Sequence, residues 1–348
     1  MGLNFRIESD DIGHISKETR YRVWWSLYTL DTSLCAMTGR PPSSNGEFCT
    51  TPLPVPFKEE QFMDETVAQL IADHEARNIF LGILTSKSWG QSNVQSAVNP
   101  EYSECLTPDW KKQCEQLASS AAENLSPNLS LYFFYFVELG LVMRESVDTL
   151  YAPGAAWKSW REIESAISTL DSKTDAWFSR LPDDFRFTGV QGSRVFERQT
   201  SSLAFGYYST KLIIIQPCLR HAIHLGRGAS SPGSFCDSMT DQCVDTAMRM
   251  LSLLPDPPDT AWLYRISPWW CILHYLMQAT TVLLTELFIR ATPGTPQYNM
   301  VQENINKAIR WLPEMAWRDP CSQRAWIVCN DFIGRYAHDL DPQVMLKD

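Results

Sequence analysis

The feature that most constrains this chain is the spacing of its apolar residues. They recur mostly three and four positions apart, with no sustained period-two alternation. That pattern buries stripes along helices rather than alternate faces of strands, so the fold expected is an all-α, multi-helix bundle. The first helix is expected over 17–37, with Ser16 as its N-cap. Gly39-Arg40-Pro41-Pro42 stops it, because glycine tolerates left-handed backbone and proline cannot continue a helix. Thr51-Pro52-Leu53-Pro54-Val55-Pro56 should then run extended, since alternate prolines bias their predecessors away from helix. Further helices are expected near 58–86, 108–124, 129–149, 155–181, 194–225, 235–254, 268–291, 297–312 and 320–338. The turn-formers at 226–234 and 255–258 are too short for interdomain linkers. We therefore expect a single all-α domain over 1–348 with a flexible loop near 91–107.

Composition narrows function mainly by exclusion. A formal charge of −10 and a pI near 5.2 oppose contact with a polyphosphate, and basic residues form no run, so no direct nucleic-acid binding is expected. The ten cysteines contain no C-x-x-C pair and read as buried thiols of a reducing compartment. No secretory leader is visible at the N-terminus, and an intracellular location, cytoplasm or nucleus, is expected. Two apolar stretches, 129–143 and 269–289, carry polar or charged interruptions and read as buried helices, so no membrane partner is expected.

A long motif lies in the first helix. Glu18-Thr19-Arg20-Tyr21-Arg22-Val23-Trp24-Trp25-Ser26-Leu27-Tyr28-Thr29-Leu30-Asp31, closed by Gly39-Arg40-Pro41, resembles the signature of the regulatory (middle homology) domain of fungal zinc-cluster transcription factors. The opening Met1-Gly2-Leu3-Asn4 is similar to the Gly-Leu-His that precedes that signature. Downstream, Trp177-Phe178-Ser179-Arg180-Leu181-Pro182, the helix from Tyr207 to Leu219, the run from Pro268 to Ala279 and Lys307 to Leu312 are similar to later parts of the domain. The resemblance implies a ligand-responsive helical domain. The six closely spaced cysteines of the DNA-binding zinc cluster are not found, nor are the helices that come before Gly-Leu-His in the family. The chain is thus expected to be either a fragment of a regulator or a repurposed gene starting naturally at Met1, the second being preferred.

Candidate site residues come from two helices. Trp270, His274, Gln278, Thr281 and Thr285 are spaced four, four, three and four, a polar stripe on an apolar helix that needs partners from neighbouring helices or from a cavity. Tyr207, Lys211, Ile214, Cys218 and His221 share a face of the earlier helix, where Lys211 is either a pocket cation or a side chain reaching solvent. Arg20, Arg22, Asp31 and Arg40 of the signature are expected to fix the first helix against the proline-rich strand rather than to hold a ligand. His221 and His224 have metal-compatible spacing, but a solvated helix end is the better reading. No nucleophile elbow, phosphate loop, dinucleotide fingerprint or zinc-protease motif occurs, so neither a cofactor nor a metal is expected.

Two functions fit these residues. The first is a cofactor-independent pericyclase, a repurposed hetero-Diels–Alderase of fungal secondary metabolism joining a tropolone quinone methide to a humulene-type terpene. Proximity and one hydrogen-bond donor suffice for such a reaction. Lys211, His274 and Tyr207 would be its catalytic donors, and Trp269, Trp270, Tyr275, Gln278 and Thr281 would line the substrate site. The alternative is the effector-sensing regulatory domain of a zinc-cluster transcription factor, in which the same hydrophobic pocket binds an effector. In both readings the partner is an apolar small molecule, with homodimerisation allowed.

Overall fold

The computed structural model describes residues 2–6, 11–44, 49–85, 108–187, 194–225, 234–317 and 319–337. The loop expected near 91–107 lies outside the described residues. Among them are twelve α-helices and no strand, which makes the fold all-α as expected. They are α1 (His14–Thr38), α2 (Glu65–Ala72), α3 (His74–Thr85), α4 (Pro108–Glu123), α5 (Leu129–Leu150), α6 (Trp160–Ser179), α7 (Glu197–Leu225), α8 (Phe235–Ser252), α9 (Thr260–Ile266), α10 (Trp269–Thr285), α11 (Pro296–Ala316) and α12 (Pro320–Ala337). The helices divide between two compact units, Met1–Thr149 with Ser172–Gly192, and Leu150–Asp171 with Ser193–Asp348. A single domain over 1–348 remains an expectation.

Several helix ends differ from the reading of the sequence, each for a local reason. α1 starts at His14 after Gly13, so Ser16 lies inside it rather than capping it. The helix expected over 58–86 breaks at Asp73, which has extended backbone and whose carboxylate accepts hydrogen bonds from the N–H groups of Glu75 (2.8 Å) and Ala76 (3.2 Å). α6 begins at Trp160 because Pro153-Gly154 forms a separate tight turn ahead of it. α9 was not anticipated. Asp259 caps it by accepting from Trp262 N–H at 3.0 Å. α11 continues through Pro313 to Ala316 instead of ending at 312.

In the first unit the core is organised around α1 and the proline-rich strand. Trp25 and Tyr28 of α1 pack on Val137 of α5, and Gly140 lets the two helices approach closely, since a Cβ there would lie 3.2 Å from the Thr29 methyl. Prolines leave carbonyls without ladder partners, and α1 supplies donors to them. Trp25 Nε1 donates to Pro52 O at 2.7 Å, and Arg22 Nη2 donates to Val55 O (3.1 Å) and Phe57 O (2.6 Å). Glu18, fully buried, accepts from Val55 N at 3.0 Å and pairs with Arg22 at 3.3 Å and with buried Arg77 of α3 at 2.6 Å. Asp31 accepts from Ser43 N–H, Ser44 N–H and the Ser44 hydroxyl, which together with nearby Arg144 hold its carboxyl below the ordinary range, against the effect of burial. A second buried pair joins Glu138 of α5 to Arg180 at 3.1 Å, and burial still pushes the Glu138 carboxyl up to about 7.

The second unit is built around α7, in which every residue from Leu203 to Ile215 is buried. A helix buried on all faces must be central, and α8, α9 and α10 contact it. Pro217 lies inside α7 and has no N–H to give to Ile213 O. The hydroxyl of Tyr151 replaces it, donating to Ile213 O at 2.6 Å. α10 packs on α7, α8 and α11, and continues into one wider turn over Glu286–Arg290, where Ala291 N–H donates to Glu286 O at 2.8 Å. The continuous helix Trp269–Arg290 is long and apolar enough to cross a bilayer by length and composition, and half of its apolar window is buried in the unit.

Candidate functional site

The sequence places its candidates on α7 and α10, both in the second unit, where Phe205 stacks on Tyr275 with ring centres 5.2 Å apart. Ser209 donates to Gln278 Oε1 at 2.8 Å, and Gln278 Nε2 donates back to Ser209 O at 3.3 Å. The polar stripe on α10 is thus partly a packing device. Thr281 is exposed, and it and Thr285 each donate to the carbonyl four residues earlier, Met277 O and Thr281 O.

Lys211 departs from both roles considered for it, since it neither reaches solvent nor stands as a free pocket cation. Its side chain is 5% exposed, and its ammonium lies 2.7 Å from Asp171 Oδ1 on α6, while Asp171 Oδ2 accepts from Gln242 at 3.4 Å. The ammonium also sits 5.8 Å from the centre of the Tyr207 ring. Asp171 and Gln242 carry no local motif, so sequence reading missed them. Tyr207 is buried and packs edge-on against Tyr208.

The first two turns of α10 differ from this sealed seam. Trp269, Trp270, Cys271, His274 and Tyr275 are all half-buried, and the His274 ring meets Tyr275 edge-on at 5.5 Å without a hydrogen bond among the described residues. Burial alone pulls the His274 imidazole down to about 4, so near neutral pH it is uncharged and offers one N–H donor and one acceptor. Burial also raises the neighbouring Cys271 thiol to about 11, which keeps it protonated. The arrangement suits aromatic packing and a single polar contact. It holds no activated nucleophile.

Other candidates resolve into structure. His221 stacks on Trp160 at 3.9 Å with rings 9° from parallel, His224 is exposed, and no group of three or more His, Cys, Asp or Glu side chains among the described residues is placed to hold a metal. In the signature, Arg22 and Asp31 do fix α1 to the chain that follows it, whereas Arg40 is exposed and the Arg20 Nε is buried without a hydrogen-bond partner among the described residues. An open apolar hollow of about 320 Å³ lies in the first unit, lined by Ile15, Phe62, Met63, Ala68 and Ile71 among others. None of the predicted site residues borders it.

The signature helix bound to its proline strand in an all-α chain points to a class, and comparison with known proteins agrees. The profile of the fungal specific transcription factor domain matches residues 1–179, and the chain belongs to that family. Among relatives, it is 30% identical over 376 aligned residues to the transcription regulator galc of Aspergillus niger, covering 98% of this chain and 43% of that protein. It is also 40% identical over 117 residues to an uncharacterized transcriptional regulatory protein, C3C7.04, of Schizosaccharomyces pombe, covering 32% of this chain and 15% of the other. The chain therefore spans less than half the length of these relatives. No solved structure matches it. A transcription regulator works inside the cell, in line with the intracellular location expected. These relatives favour the regulatory reading, and neither they nor the geometry supports the cycloaddition.

Proposed function

We propose that this chain is the effector-sensing part of a fungal transcription regulator, with an apolar small molecule received by the first turns of α10 in the second unit. The observation that carries the reading is the half-buried aromatic face of Trp270, His274 and Tyr275, whose neutral imidazole has no hydrogen-bond partner among the described residues. It lies in a chain whose relatives are named as transcription regulators. An effector stacked on these rings and hydrogen-bonded to His274 would stabilise one arrangement of α10 against α7 through differential affinity. In this role Lys211, Gln278 and Thr281 hold the scaffold, and contact with the ligand falls to Trp269, Trp270, His274 and Tyr275. The site of action is the nucleus, and the acidic chain leaves DNA contact to another part of the regulator or to a partner.

The test is a thermal-shift screen of apolar aromatic and terpenoid compounds against the full chain, repeated with Trp270→Ala and His274→Ala. A compound that raises the melting temperature of the parent but of neither variant supports the site. A shift retained in both variants moves the site elsewhere. Fusing the chain to an unrelated DNA-binding domain should then give reporter output that follows the same compound, and output indifferent to every stabilising compound would defeat the sensing role.

A further inference from the structure

The turn between α10 and α11 holds two threonine–proline pairs in one short run, Thr292-Pro293-Gly294-Thr295-Pro296. Thr292, Pro293, Gly294 and Pro296 are exposed, and Thr295 is half-buried. Pro296 biases the residue before it toward extended backbone, and Thr295 has φ −82° and ψ 153°. Thr295 is also the N-cap of α11. Its hydroxyl accepts from Tyr298 N–H at 3.2 Å and donates to Thr292 O at 2.8 Å. One neutral oxygen thus caps a helix of 21 residues whose first turn carries no acidic side chain. No carboxylate there competes for the positive end of the helix. The cap is also tied to α10. Gln297, two residues further on, donates to Glu286 Oε1 at 3.1 Å, while Arg290 Nη1 donates to Glu286 Oε2 at 3.0 Å, so the wide turn Glu286–Arg290 is held from the first turn of α11.

We propose that Thr295 is a phosphorylation site for a proline-directed protein kinase, and that the N-terminus of α11 holds the phosphate. In the transfer the Thr295 oxygen bonds to the γ-phosphorus of ATP, the bond from that phosphorus to the bridging oxygen breaks, ADP leaves, and the hydroxyl proton passes to the base of the kinase. The kinase has to draw Thr295 off its cap, and a helix end is the part of a helix that opens most readily. Back at the cap, the phosphate sets three charged oxygens where one hydroxyl stood, within reach of Gln297 and Tyr298 N–H and at the positive end of the helix. Thr292 has no such seat, since it lies three residues ahead of the cap. Another exposed pair, Ser126-Pro127, precedes a helix end that is already filled, because Asn128 Oδ1 accepts from Ser130 and Leu131 N–H at 2.8 and 3.0 Å. Thr51, before Pro52, is buried. Through Gln297 and Glu286, a phosphate that fixes the first turn of α11 also fixes the wide turn of α10.

The full 348-residue chain is incubated with magnesium-ATP and, in parallel, a mitogen-activated or a cyclin-dependent protein kinase, then digested and mapped by mass spectrometry. Phosphate on Thr295 is the expected result, and Thr292→Val should retain it. Pro296→Ala should lower it about tenfold or more, because the acceptor hydroxyl stays while the proline that the kinase reads is lost. That variant keeps a strong helix former at the first helical position, so α11 persists. Hydrogen exchange then reads the seat of the phosphate. Phosphorylation should slow exchange of the amides over 297–304 about fivefold, the size expected of an anion at a helix N-terminus. Thr295→Val, which loses the cap, should speed the same amides. A chain that neither kinase labels at Thr295, labelling at Thr295 indifferent to Pro296→Ala, or a phosphate at Thr295 that leaves those amides exchanging as fast as before would overturn the proposal.

Discussion

Helices α1 and α7 are both long and carry apolar side chains on more than one face, yet they sit in opposite environments. α7 is buried all round from Leu203 to Ile215, whereas α1 buries one face and leaves Val23, Leu27, Leu30 and Leu34 at the surface. The difference lies in their polar groups. α7 sends Lys211 to Asp171 and receives the Tyr151 hydroxyl at the carbonyl that Pro217 leaves open. α1 instead directs Glu18, Arg22 and Trp25 at an irregular strand rather than at another helix. A helix with apolar residues on every face is central when neighbours surround it, and two-faced when they cover one side only.

The most severe way to break this comparison is at Glu18, the buried centre of the α1 anchor. Glu18→Ala leaves Arg77, 2% exposed, without its carboxylate and Val55 N–H without its acceptor, and should cost about 3–5 kcal/mol in urea unfolding followed by circular dichroism. Glu18→Ala combined with Arg77→Met should recover part of that loss, because no unpaired charge then stays buried. A loss below about 1 kcal/mol for the single change would mean that the anchor is ornamental and that α1 is held by apolar packing alone.

The corresponding change in α7 should be milder. Lys211→Met keeps the stem's packing and strands Asp171, but that carboxylate remains 14% exposed and keeps Gln242, so the expected loss is about 2 kcal/mol. A loss equal to that of Glu18→Ala would show that the two pairs are equally dry. The backbone device of α7 comes next. Tyr151→Phe removes the donor to Ile213 O and should cost about 1–2 kcal/mol, while Tyr151→Phe with Pro217→Ala should restore much of it by returning the helical N–H.

These residues also show what a sequence can reveal. Helical class and the signature were legible because each is written locally, in a three-to-four spacing and in a contiguous run from Glu18 to Asp31. The anchoring role of Arg22 was legible as a donor beside a proline strand whose carbonyls need donors, whereas Asp31 accepts from Ser43 and Ser44 ahead of that strand. The partners were not. Glu18 meets Arg77 across 59 positions and Lys211 meets Asp171 across 40, and neither distant residue carries a local sign of its role. Lys211 consequently read as a pocket cation or a solvated side chain when it is half of a sealed pair. α9 was overlooked because seven residues between turns give too short a window for periodicity, leaving Asp259 as its only marker.

The smallest effect is expected on the outer face of α1, and there the comparison is sharpest. Leu34 is 42% exposed, so Leu34→Gln removes little burial from the folded unit and should change stability in urea by no more than about 0.5 kcal/mol when measured at 1 µM chain. A buried leucine of α7 such as Leu212, 1% exposed, should lose several times as much when changed to Ala, about 2–5 kcal/mol, because a cavity replaces it. If Leu34→Gln instead proves as costly as Leu212→Ala at that concentration, the outer face of α1 is already buried within one chain and the contrast between the two helices disappears.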